Sequence, residues 1–340
     1  MDFKQLGNTG TLVSELCLGT MTFGGKGFWE AIGKMPQKEA TELIKQAVDS
    51  GINFIDTANI YSEGLSELLL GKAIKDLGLD RQQLVIATKV RGRMGPGANQ
   101  IGLSQLHVID SVNDSLKRLQ LDHIDLLYIH GVDPITPLEE TMRALEDVVR
   151  AGKVRYLGIS NHPAWKVMKA NAIAEKMGWT QFVALQNFYS IACRDVEREL
   201  IPLAESEGLA LMPWSPLAGG FLSGKYSRSK QKAGNSRRDE FDFPPLNKEK
   251  AYDIIDAMTD VGKEHDVSVA QIALAWLMKK NSVTSIIMGA KNKNQLNENI
   301  ASSGVSLSDE EMEKLDSVSE LVPEYPGWMV TRQSEDRLPE

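Results

Sequence analysis

Residues 38–56 read KEATELIKQAVDSGINFID. Ala40, Leu43, Ile44, Ala47 and Val48 recur at the spacing of one helix face, and Gly51 is placed to stop that helix. Asn53-Phe54-Ile55 follows as a short apolar run without alternation, the pattern of a parallel strand covered on both sides. The same unit repeats along the chain. Strand-like runs occupy 16–18, 84–87, 125–129, 154–159, 182–185, 209–212 and 283–287, and helical periods occupy 103–119, 136–151 and 163–177. Eight strands with intervening helices predict an α/β fold of the (β/α)8 TIM-barrel type, one domain over residues 1–340. Two α/β domains would also fit the length, but no change in composition marks a boundary.

Three stretches depart from the alternation. Residues 3–15 predict an N-terminal β-hairpin turning at Gly7-Asn8-Thr9-Gly10. Residues 215–247 predict a long polar loop after the seventh barrel strand, a length usually kept for function. Ser308-Asp309-Glu310-Glu311 predicts a capped helix, followed by a tail rich in proline and charge. A net charge of −8 and a pI near 5.4 leave no basic footprint for nucleic acid. No apolar run approaches the roughly 20 residues of a membrane helix, and the first residues lack a signal-peptide core. Cys17 and Cys193 are too few for a disulfide framework, and no Cys/His cluster has metal-ligand spacing. These features predict a cytoplasmic protein with no metal, no membrane and no nucleic-acid partner; they leave the oligomeric state open.

In such a barrel the chemistry sits where strands end. The strand ends run in order: Gly19-Thr20-Met21; Asp56 to Tyr61; Lys89; His130; Ser160-Asn161; Gln186-Asn187; Trp214-Ser215-Pro216; and Gly289. An acid, a phenol, an amine and an imidazole therefore arrive at one mouth. A phenol with a pKa near 10 is a weak acid, and an adjacent ammonium favours its phenolate. Lys89 supplies that charge, Asp56 holds Lys89 protonated, and His130 orients a carbonyl oxygen. Asp56, Tyr61, Lys89 and His130 together make a device for protonating a nascent alkoxide. They supply no hydride, so a bound nicotinamide is required. His107, His123, His162 and His265 lack this placement.

At these residues the sequence resembles the aldo-keto reductase superfamily, in particular a bacterial branch that also resembles potassium-channel β-subunits. The resemblance runs from Leu12 to about Asn299 and is borne by residues 18–25 (LGTMTFGG), 51–61 (GINFIDTANIY), 152–161 (GKVRYLGISN), 185–190 (LQNFYS), 214–225 (WSPLAGGFLSGK) and 289–295 (GAKNKNQ). It implies Asp56, Tyr61, Lys89 and His130 as a catalytic tetrad. It implies Ser160, Asn161 and Gln186 on a nicotinamide carboxamide, with Gly19, Thr20 and Met21 beside them and Trp214 against the ring face. It implies Ser215, Pro216, Leu217, Gly219, Gly224 and Lys225 across the pyrophosphate. Gly289, Lys291, Gln295, Glu298 and Asn299 would hold the adenosine end. The implied reaction is reduction of a small-molecule aldehyde or ketone by NADPH, and its reverse. Asn292 stands where many relatives meet the 2′-phosphate with Arg or Ser, so Lys291 and Lys293 are the candidate cations and NADH is the lesser alternative.

Residues 219–226 (GGFLSGKY) nearly spell a phosphate-binding loop, but Tyr226 replaces the small hydroxyl that binds magnesium. Arg228, Lys230, Lys232, Arg237 and Arg238 read either as a flap clasping anions or as a solvated loop. Phe28 and Trp29 read either as a pocket wall or as surface apolar residues. Two further functions compete with the reductase: a cofactor-sensing binding subunit with incidental turnover, and a reductase directed to sugar phosphates. Substrate choice is assigned to loops 22–35, 91–103 and 215–247.

Overall fold

A computed structural model describes every residue except Asn235, Asp336 and 338–340. The chain opens with an antiparallel hairpin, β1 (Phe3–Gln5) and β2 (Leu12–Ser14). Its turn plugs the end of the barrel where the strands begin: a Cβ on Gly7 would lie 2.4 Å from the Val183 carbonyl oxygen. Leu6 and Val13 join the buried cluster inside the barrel.

Eight parallel strands close that barrel. They are β3 (Leu16–Gly19), β4 (Phe54–Asp56), β5 (Val85–Val90), β6 (Ile124–Ile129), β7 (Val154–Ser160), β8 (Phe182–Phe188), β9 (Ala210–Trp214) and β10 (Ile286–Gly289), with β10 pairing to β3. Alternate residues face opposite ways. Phe54, Ala87, Leu126 and Tyr128 fill the interior, whereas Ile55, Ile86 and Leu127 pack against the helices. The helices are α1 (Gln37–Asp49), α2 (Leu65–Asp76), α3 (Gln105–Leu119), α4 (Leu138–Arg150), α5 (Ala164–Met177), α6 (Val196–Glu207), a short α7 (Arg237–Glu240), α8 (Lys248–His265), α9 (Val269–Met278), α10 (Lys293–Ala301), α11 (Asp309–Val318) and α12 (Gly327–Glu335). Ser104 caps α3, and Ser308 with Glu311 forms the expected capping box of α11. Among the described residues, no helix is long and apolar enough to cross a membrane.

The strands differ from the expected runs chiefly at their carboxyl ends. β5 continues through Thr88 and Lys89, β8 through Gln186 to Phe188, and β9 through Trp214. Backbone pairing is indifferent to the polar side chains at the mouth, so apolarity ends before the ladder does. The last strand is displaced: Val283 makes only an isolated bridge to Leu211, and the strand itself begins at Ile286. The loop after β9 is not polar throughout. Phe221, Leu222 and Tyr226 are buried, and α7 interrupts it. The tail also contains α12, a helix that follows Pro326, a residue suited to a helix start.

Candidate active site

Register brings the tetrad to one mouth. Gly19 pairs with Asp56, Asp56 with Ala87, and Lys89 with Tyr128 on neighbouring strands. Lys89 is fully buried. Its ammonium donates to Asp56 Oδ1, to the Thr57 carbonyl oxygen at 2.8 Å and to the Tyr61 hydroxyl at 3.3 Å. Gln186 Nε2 donates to the second Asp56 oxygen at 2.9 Å. The Tyr61 ring meets the His130 ring edge-on, with centroids 5.8 Å apart, and meets Trp29 at 5.2 Å. Tyr61 is delivered by an unusual backbone. Ser62, Glu63 and Gly64 all take positive φ, of 49°, 56° and 91°, before α2 begins. Ser62 Oγ anchors this turn, donating to the Phe23 carbonyl oxygen at 2.9 Å and accepting from Gly25 N at 3.0 Å.

The electrostatics correct one expectation. Burial pushes the Tyr61 phenol up; Lys89 pulls it down and Asp56 pushes it up again. The phenol therefore rests above its ordinary value, not below it, because burial outweighs the pull of the ammonium, which the Asp56 carboxylate partly offsets. Burial likewise raises Asp56, opposed by Lys89 and by the hydrogen bonds from Lys89 and Gln186. Burial lowers Lys89, but the fields of Asp56 and Tyr61 win and hold it above its usual value. His130 is lowered to about 3, by desolvation first and then by the Lys89 and Arg91 charges. Near neutral pH the mouth thus holds a protonated phenol, a neutral imidazole and a buried ammonium–carboxylate pair.

From this cluster a cleft of about 680 Å³ crosses the barrel mouth. Tyr61, His130 and Asp56 line it, with Lys89 lying behind them. Gly19, Thr20, Met21, Ser160, Asn161, Gln186 and Trp214 line it as well. Ser215, Pro216, Leu217, Gly219 and Lys225 also line it, as do Gly289, Lys291, Gln295, Glu298 and Asn299. Gly224 does not line it, since a Cβ there would face Val269 on α9. The amides are organised by one another: Asn161 donates to the His130 carbonyl oxygen at 3.0 Å and accepts from Trp214 Nε1 at 3.0 Å. Asn161 holds φ at +58°, a conformation asparagine tolerates better than most side chains. Phe28 and Trp29 are wall residues. Phe28 meets Phe241 at 5.4 Å, Phe241 meets Phe243 at 5.5 Å, and Phe243 stacks on Trp214 at 6.1 Å. Neither Phe241 nor Phe243 was singled out by sequence reasoning; the signal was Phe-Asp-Phe inside an otherwise polar loop.

Residues 15–320 match the model of the aldo/keto reductase family. The chain belongs to that family. It is 37% identical over 335 residues to an uncharacterized oxidoreductase, YrpG, of Bacillus subtilis, covering 96% of this chain and 97% of that protein. It is 35% identical to versiconal hemiacetal acetate reductase of Aspergillus parasiticus, covering 96% and 99% of the two chains. It is also 35% identical to a rice protein named "Probable voltage-gated potassium channel subunit beta", covering 95% and 98%. As an aldo/keto reductase the chain is an oxidoreductase of carbonyl compounds, in a family that uses nicotinamide cofactors.

Within this reductase two of the five basic residues over 228–238, Arg228 and Arg238, are committed elsewhere. Arg228 pairs with Glu249 at 2.7 Å and with Asp253. Arg238 is buried, donating to the carbonyl oxygens of Ala218 and Pro244 at 2.8 Å each. These two brace the loop through partners within the protein, and neither lines the cleft. The Arg237 side chain lies outside the described residues. Tyr226, the odd residue of the phosphate-loop look-alike, donates its hydroxyl to Asp239. Lys293 pairs with Glu42 at 3.0 Å, away from the cleft, and the Asn292 side chain caps α10 by accepting from Gln295 N. Lys225 and Lys291 are the lysines in the cleft lining.

Proposed function

We propose that this aldo/keto reductase reduces an aldehyde or ketone to the alcohol with NADPH, Tyr61 acting as general acid. The buried Lys89, bonded at once to Asp56 and to the Tyr61 hydroxyl, is the observation that supports this reading above the others. The donor set of the cleft suits a dinucleotide: Asn161, Gln186 and Ser160 would hold a carboxamide, Trp214 the flat ring, and Lys225 and Lys291 the phosphates, with Gln295, Glu298 and Asn299 at the adenosine end. The reduced nicotinamide, when bound, supplies the hydride. His130, kept neutral, donates a ring N–H to the carbonyl oxygen and orients it. Tyr61 passes its proton to that oxygen as it becomes an alkoxide, a far stronger base than phenolate. Lys89 stabilises the phenolate left behind, and Asp56 with Gln186 keeps Lys89 charged and in place. Phe28, Trp29 and Phe241 keep water from the reacting oxygen.

NADPH is favoured over NADH by the two cleft lysines, with Asn292 occupied in capping. A cofactor-sensing role of the kind the rice relative's name suggests would not call for a buried lysine beside a phenol. The sugar-phosphate reading loses support because Arg228 and Arg238 are engaged. The test is a Tyr61→Phe variant, assayed by fluorescence titration of NADPH and by stopped-flow NADPH oxidation with a panel of aldehydes. Cofactor affinity should stay within about twofold, while turnover falls by about 10²–10⁴. Full activity in the variant would end the assignment.

A further inference from the structure

Behind the tetrad, outside the cleft, an acid lies fully buried. Glu67 sits in the first turn of α2, only six residues after Tyr61. One of its oxygens accepts from the Thr88 hydroxyl at 2.6 Å, and Thr88 immediately precedes Lys89 on β5. Its other oxygen accepts from Arg118 Nε at 2.6 Å, near the end of α3. The Arg118 stem in turn lies against the turn that delivers Tyr61: a Cβ on Gly64 would come within 2.8 Å of Arg118 Cδ. One ion pair therefore touches both the turn bearing the phenol and the strand bearing the amine. Burying a charge pair is a poor way to gain stability, since apolar side chains of similar volume serve as well or better. The pair does what an apolar contact does not, which is to fix direction at both ends through hydrogen bonds.

We propose that the Glu67–Arg118 pair, with Thr88, is a positioning device that sets the Tyr61 hydroxyl against the Lys89 ammonium. Glu67 and Arg118 touch neither substrate nor cofactor; they hold the left-handed turn and the end of β5 in mutual register. Loosening them lets the 3.3 Å contact open, and the proton then moves across a less favourable distance. The inference rests on Tyr61 as proton donor, so Tyr61→Phe accompanies the test.

Arg118→Met keeps the stem over Gly64 and removes the charge. Thr88→Val keeps the strand's β-branched shape and removes the hydroxyl, without leaving a charge unpaired. Each is compared with wild type for NADPH affinity, KM and kcat with 4-nitrobenzaldehyde, the solvent deuterium isotope effect on single turnover, and Tm. We expect Arg118→Met to lower kcat by about tenfold or more and Thr88→Val by about threefold, in keeping with the sensitivity of catalysis to small misplacements. KM and NADPH affinity should stay within about twofold, and the isotope effect should rise. Wild-type kcat and isotope effect in both variants, with only Tm reduced, would overturn the proposal, as would cofactor affinity falling in step with kcat. Should Arg118→Met not fold, Thr88→Val decides alone. Retained activity in Tyr61→Phe would instead remove the general-acid reading itself.

Discussion

Lys89→Met is the sharpest perturbation of the proposed mechanism. The ammonium lies 3.3 Å from the Tyr61 hydroxyl. At an effective dielectric constant of about 20, a unit charge at that distance stabilises the phenolate by about 5 kcal/mol. Asp56, bonded to the same ammonium, returns part of that, which is why burial still leaves the phenol raised. Removing Lys89 leaves Asp56 buried with only the Gln186 amide, and that carboxyl, already raised, takes up a proton. The phenolate then has no cation, and kcat should fall by about 10²–10⁴, the range of a general-acid contribution. Both directions must fall together, because the overall equilibrium is unchanged. The assay is single-turnover NADPH oxidation by stopped flow, with NADPH affinity measured by fluorescence. Lys89→Met with Asp56→Asn controls for the stranded carboxyl and should be equally slow but more stable. A Lys89→Met rate within tenfold of wild type, with cofactor affinity intact, would refute the reasoning.

His130 titrates at about 3 in the folded chain and near its ordinary value of about 6.5 in the unfolded one. The unfolded state therefore binds the extra proton between these values, and stability falls as pH drops through that window. His130→Gln should lose less Tm than wild type between about pH 7 and pH 5; equal losses would show that His130 is not the group responsible. A Cβ on Gly71 would sit 2.2 Å from the Leu119 carbonyl oxygen, so Gly71→Ala should cost about 1–3 kcal/mol, read as a lower denaturation midpoint; an unchanged midpoint would mean that α2 and α3 part without cost. Trp29→Ala and Phe241→Ala should each raise KM for an aromatic aldehyde about two- to tenfold, with KM for a small aliphatic aldehyde unchanged. A proportional loss for both substrates would remove the aromatic wall from substrate selection.

The barrel was legible because burial on two sides leaves parallel strands no room for polar residues, so each announces itself as a bare apolar run. The tetrad was legible by a related logic: Asp56, Lys89 and His130 appear where such runs stop. What the sequence concealed depends on direction in space. Lys291 and Lys293 are two positions apart, yet one lines the cleft and the other turns to Glu42. Arg228 and Arg238 look like an anion clamp until their carboxylate and carbonyl partners are seen. Phe241 and Phe243 gain their meaning only from Phe28 and Trp214, reached across the mouth from other loops.

The expectation that failed, a Tyr61 pKa pulled below its free value, points to how the site works. A phenol held well below its ordinary value would lose its proton near neutrality and stop being an acid. On the proposed mechanism a raised phenol stays loaded and can still give its proton downhill, because the alkoxide that hydride transfer would form is the stronger base. On that mechanism Lys89 is therefore needed less for the resting phenol than for the phenolate that follows, and Asp56 would keep that ammonium from discharging the acid too early. Sequence spacing supplies the members of this balance. Its sign depends on desolvation, which exists only once Tyr61 and Lys89 are both shut inside the barrel mouth.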